Sequence, residues 1–129
     1  EMTSSLVGSE MCIRDRIDIM PTVLGILGYD RAYVGFGQDA LRTSAAEKFA
    51  VNYLPTSGIY QFLKGDYLIQ FDGEKVIHAY RFRTDVLMKD DVKDTMPQDT
   101  LKAMETQLKS LIQQYMERMN GNNLVYREK

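Results

Sequence analysis

The spacing of apolar residues changes twice along this chain, and each change marks a different element. From Ile17 the sequence IDIMPTVLGILGYD places Ile19, Met20, Val23, Leu24, Ile26 and Leu27 around almost the whole circumference of a 3.6-residue period. This predicts a short helix from about Ile19 to Leu27, buried on most sides and packed within something large. Asp18 is positioned to cap its orphan amides, Pro21 is tolerated in its first turn, and Gly28 stops it at C′. Asp30 to Gly37 then reads as a loop.

Between Lys48 and Arg83 the period falls to two, in segments rich in Tyr, Phe, Val and Ile and broken by glycine-bearing turns. Four strands are predicted: Phe49 to Leu54, Ile59 to Lys64, Tyr67 to Phe71 and Val76 to Phe82. In the first, Phe49, Val51 and Tyr53 share a side. Pro55-Thr56-Ser57-Gly58 and Lys64-Gly65-Asp66 supply turns, and Asp72-Gly73 suits the positive φ angles of a type I′ hairpin. Consecutive short turns make the sheet an antiparallel meander.

After the charged connector Met88 to Asp94, the period returns to 3.6. Pro97 sits where a first helical turn accepts it, and Leu101, Met104, Leu108, Leu111, Ile112, Tyr115 and Met119 follow at spacings of three and four. One amphipathic helix of about six turns results, stopped by Asn120-Gly121, with one face of the meander as the natural partner of its stripe. The fold class is α+β: a short buried helix, a four-stranded antiparallel meander and a long C-terminal amphipathic helix.

Composition narrows the chemistry. A compact body of 129 residues would leave roughly 7,000 Å² exposed from an unfolded ~21,500 Å², so a real core is within reach. A net charge of −2 with no basic block argues against a nucleic-acid partner. Tyr60, Phe62 and Tyr67 could stack bases, but Lys64 is the only cation interleaved with them, too little for an electrostatic funnel. The charge-free run from Ile19 to Tyr29 is 11 residues long, against about 20 for a membrane-spanning helix. Cys12 has no internal disulfide partner, and His78 has no second histidine with which to bind zinc.

Other features carry little chemistry. Alternation puts His78 beside Val76, Tyr80 and Phe82 on a buried or half-buried face, as a satisfied structural histidine without a local nucleophile. Asp90, Asp91 and Asp94 form an acidic run without the oxygen-ligand spacing of an EF-hand, which reads as a solvated loop. Gly35-Phe36-Gly37 lacks the third glycine and the preceding strand of a dinucleotide fingerprint and reads as loop punctuation. The eight methionines read as adaptable core filler. No catalytic, cofactor-binding or metal-ligating residue is assigned.

Residues Leu6 to Arg16, LVGSEMCIRDR, have neither helical nor strand periodicity and match no secretory segment. Reverse-translated, the string resembles the transposon adapter used to prepare sequencing libraries. The expectation is an adapter translated in frame with a gene piece that begins near Ile17, its natural start lying upstream of Glu1. An ordinary polar N-terminal arm is the other reading of this segment.

The segment Ile17 to Gly28, followed by Phe36-Gly37-Gln38-Asp39-Ala40-Leu41, resembles the late portion of sulfatase-type domains in the alkaline phosphatase superfamily. The shared pattern is a D-[IL]-x-P-T-[LV]-L helix and then G-x-D-[LIV]-L, from which Ala40 departs where a larger aliphatic is usual. NYLPTSGIYQFLKGDYLIQFDGEKVIHAYRFRTD is similar to the C-terminal part of lipoteichoic acid synthase family proteins, especially Bacteroidetes-like phosphoglycerol transferases. The likeness runs over about Ile17 to Leu124.

With the adapter-like residues 1–16 set aside, it implies two parts: the end of a catalytic core over 17–44 and a C-terminal subdomain of antiparallel strands and a helix over 45–129. The implied parent has an α/β alkaline-phosphatase-like core and sits in the bacterial cytoplasmic membrane with its catalytic domain outside. It transfers phosphoglycerol from a lipid headgroup through a threonine nucleophile beside a divalent metal (Mn, Mg or Ca). Those motifs precede the D-x-x-P-T helix in the family, so none maps onto a residue here, and Thr22 belongs to the helix motif. The implied partner is the N-terminal catalytic core of the same chain, and this segment is expected to be inactive alone. Two rivals stand beside that reading: a self-sufficient α+β binding module, and a small stand-alone enzyme built around His78.

Overall fold

The computed structural model describes residues 16–127; the adapter-like string before Arg16, including Cys12, lies outside the described residues. In order, the elements are a 3-10 turn Arg16–Asp18, helix α1 Ile19–Ile26, strands β1 Phe49–Leu54, β2 Ile59–Lys64, β3 Tyr67–Phe71 and β4 Val76–Tyr80, and helix α2 Gln98–Asn120. The strands form one antiparallel sheet in sequence order, β1-β2-β3-β4. The architecture is α+β.

The turns explain why the meander closes. Gly58 takes φ +69° as its amide reaches back to the Leu54 carbonyl at 2.9 Å. Gly65, at φ +60°, is the first of two loop residues between the paired Lys64 and Tyr67, the place a type II′ hairpin reserves for glycine. The third turn differs from the type I′ expectation. Asp72 Oδ1 instead accepts the Glu74 and Lys75 amides at 2.8 and 2.9 Å, making an Asx turn over residues 72–75 in which Gly73 carries the positive φ.

Register builds a two-sided sheet. Val51, Phe62, Ile69 and Ala79 line up across all four strands on one face; Ala50, Leu63, Leu68 and Tyr80 line up on the other. The first face receives Leu101, Met104 and Leu108 of α2 together with Met96, and Phe62, Ile69, Ala79 and Leu108 have no solvent exposure. Lys64 Nζ donates to Gln107 Oε1 at 2.6 Å, fixing α2 over β2. On the second face Phe82 packs on Ala50 and Leu68. β4 stops at Tyr80 instead of continuing to Phe82, because the Arg81 carbonyl accepts the Thr84 and Asp85 amides and turns the chain.

The helix ends follow backbone rules. At α1, the Gly28 amide bonds to Gly25 and the Tyr29 amide to Leu24, a Schellman motif with Gly28 at φ +66°. At α2 the left-handed residue is Asn122, at φ +51°, not Gly121, and the Asn123 amide reaches back to Arg118 at 2.8 Å. Pro97, at φ −57° and ψ 119°, stands just outside α2 as its N-cap residue.

The short helix departs from the expectation of burial. Of α1 only Pro21 is buried, while Ile26 and Leu27 are 66% and 73% exposed and Ile19, Met20 and Val23 also face solvent.

The row through Phe62 is the core's centre. Replacing Phe62 with Ala should lower the unfolding free energy by about 3–5 kcal/mol in urea titrations; a loss under about 1 kcal/mol would contradict this packing.

Candidate functional site

Asp18, expected to cap α1, does something else. The 3-10 turn before the helix gives it helical torsions (φ −81°, ψ −14°), and no side-chain cap forms. Its carboxylate, on a residue only 4% exposed, instead accepts the Gln38 amide at 2.7 Å. One helical turn later the Thr22 hydroxyl donates to the Asp18 carbonyl at 2.6 Å and accepts the Ala40 amide at 2.8 Å. The D-x-x-P-T helix and the Gly37-Gln38-Asp39-Ala40-Leu41 string are thereby one hydrogen-bonded clasp.

Two glycines permit its closeness. A Cβ on Gly25 would collide with the Asp39 carboxylate, and a Cβ on Gly37 would collide with the Ile17 carbonyl. Gly37 is therefore a close-approach residue rather than loop punctuation. Asp39 Oδ1 accepts the Leu41 amide at 2.9 Å, and Arg42 Nη2 donates to the Gly25 carbonyl at 3.0 Å. Held this way, α1 turns Ile19, Val23, Ile26 and Leu27 outward, with Leu41 also exposed.

Beside the clasp lies an apolar groove of about 480 Å³, lined among others by Ile17, Phe36, Val51, Tyr60, Ile112 and Tyr115. Phe36 meets Tyr115 edge-on at 5.5 Å, and Tyr53 packs against Tyr60 at 4.6 Å. The predicted α2 stripe therefore divides. Leu101, Met104 and Leu108 cover the sheet, whereas Leu111, Ile112 and Tyr115 border the groove and Met119 is exposed. The methionines divide too: Met96 and Met104 fill the core, while Met116 lines the groove. Such a lining can bury apolar surface, with the tyrosine hydroxyls among its few polar groups.

His78 shares the face of Tyr80, as alternation assigns it, but Val76 does not join them. Gln70 pairs with His78 and Phe71 with Val76, so Ile77 is an extra residue in β4. A bulge of this kind reverses the parity. Val76 joins Ala79 in the core, while the His78 side chain is 49% exposed. Its Nδ1 lies 2.6 Å from Asp91 Oδ2, and Asp91 Oδ1 accepts the Ala79 and Lys93 amides at 3.1 and 2.9 Å. Asp91 is an exposed loop residue that also seals the outer edge of β4, where the Val92 amide bonds to the Ala79 carbonyl at 2.8 Å.

Partial burial pulls the Asp91 carboxyl upward, but the hydrogen bonds from His78, Lys93 and Ala79 outweigh it and hold it below the ordinary 3.8. Asp72 and Asp85 are also held low by the amides they accept. Burial, then the nearby Asp91 and Asp85 charges, push the Tyr80 hydroxyl up. An imidazole oriented by a carboxylate is half of a hydrolytic constellation. Here the histidine's hydrogen-bond partner is that carboxylate, and no nucleophilic hydroxyl or thiol joins the pair among the described contacts.

Of the aromatic residues considered for base stacking, Phe62 is fully buried, Tyr60 borders the groove, and Tyr67 lies under the Arg81 guanidinium at 5.8 Å. Among the described residues no three His, Cys, Asp or Glu side chains converge to hold a metal ion. Among the same residues no helix is long and apolar enough to cross a membrane. The chain matches no protein-family model, no curated protein and no solved structure.

The clasp can be tested at one amide. In Thr22→Val the Ala40 N–H loses its acceptor, a loss of about 1–3 kcal/mol, so hydrogen exchange at Ala40 should accelerate roughly tenfold or more while exchange in β3 stays unchanged. Unaltered exchange at Ala40 would contradict the clasp.

The depressed carboxyls set a pH dependence. The unfolded chain takes up protons at Asp72, Asp85 and Asp91 before the folded one does. Their stabilisation is therefore complete above the ordinary value of 3.8 and is lost as pH falls through the lowered folded values. Urea titrations from pH 7 to about pH 2.5 should show that decline, and Asp91→Asn should start lower and decline less steeply. Parallel curves for the two proteins would contradict the assigned role of Asp91.

Proposed function

We propose that this chain is the C-terminal structural part of a metal-dependent phosphoglycerol transferase or sulfatase-like hydrolase acting on lipid headgroup or cell-envelope glycan substrates. Residues 17–44 close the catalytic core of the parent, and residues 45–129 form a subdomain that braces it. The observation that carries this reading is the clasp. The two short strings that resemble the sulfatase-type pattern, 20 residues apart, meet through Asp18 to Gln38 and Thr22 to Ala40. The shared residues therefore have a common physical task, which is to hold α1 with its apolar side outward.

A helix presented in that way supports a role as an internal joint, enclosed by the sheet of a larger catalytic core. The divalent metal and the threonine nucleophile belong, in this reading, to that core, and no residue described here is assigned to them. Alone, the chain is inactive.

The gene upstream of Ile17 tests the proposal. Its reading frame should continue without interruption into an Asp-His pair some tens of codons earlier, a nucleophile motif before that, and membrane helices at its start. A start codon immediately before Ile17 would overturn the reading. Incubated with manganese and a phosphodiester substrate, the chain alone should give turnover no higher than a buffer blank, and measurable hydrolysis would contradict its structural role.

A second reading, a self-sufficient binding module, is favoured by one observation: apart from Ile17, every residue of the main core lies between Phe49 and Ile112. Deleting residues 17–43 distinguishes the two. A joint should lose solubility or cooperative unfolding, whereas an independent module should keep both with a single urea transition.

A further inference from the structure

We draw no further inference here: the strongest candidate, the apolar groove of about 480 Å³ between β1, β2 and the C-terminal half of α2, is an unpartnered face for which nothing in the structure shows what covers it.

Discussion

Hydrogen bonds from the Gln38 and Ala40 amides to the Asp18 carboxylate and the Thr22 hydroxyl decide which side of α1 meets water. Without them a helix this short has no stability of its own, since isolated helices need about 12–15 residues to be even marginal. With them, the polar contacts are satisfied on one side and Ile19, Val23, Ile26 and Leu27 are left on the other. Burying those four side chains and Leu41 under a partner surface would release on the order of 5 kcal/mol or more. That is comparable to the whole stability of a small domain, about 5–15 kcal/mol. The clasp therefore holds surface whose burial could stabilise an assembly substantially, and this links a local bonding pattern to a role as a joint.

The sheet and α2 are organised on a different principle. Their core closes on itself through the row Val51, Phe62, Ile69 and Ala79 beneath Leu101, Met104 and Leu108. The clasp adds one residue, Ile17, to that core and one aromatic contact, Phe36 on Tyr115. In the C-terminal half of α2, Ile112, Tyr115 and Met116 border the groove opposite Val51, Tyr53 and Tyr60 of β1 and β2.

Much of this fold is legible in the sequence because period and turn chemistry agree there. Three strands begin and end at the residues that alternation assigns, between Gly58 and Gly65 turns whose positive φ is a local requirement. Legibility fails where a local rule is overridden by something the pattern does not carry. Ile77 adds one residue to β4, which puts Val76 on the opposite face from His78 and Tyr80, and the His78 side chain is half-exposed where alternation had placed it on a buried or half-buried face. Asp91 becomes its partner only because the chain returns along β4, 13 residues later, a proximity no spacing rule announces. Asp18 has the residue type of a helix cap, but the 3-10 turn in front of it redirects the carboxylate. Gly35-Phe36-Gly37 carries no motif, and its significance lies in the absence of a Cβ at Gly37 against the Ile17 carbonyl. The exposure of α1 has the same origin: periodicity records that a helix is apolar all round, not which molecule encloses it.

Under the proposed function, α1 is enclosed by protein outside the described elements, and accessibility at one position tests this directly. With Cys12 replaced by Ser and Ile26→Cys as the only thiol, maleimide labelling can be timed on this chain and on the same segment within the complete gene product. Labelling should be rapid on the chain alone and slowed at least tenfold in the complete protein, a protection of about 1.4 kcal/mol or more. Equal rates in the two would contradict it, since α1 would then face water in the whole protein as well.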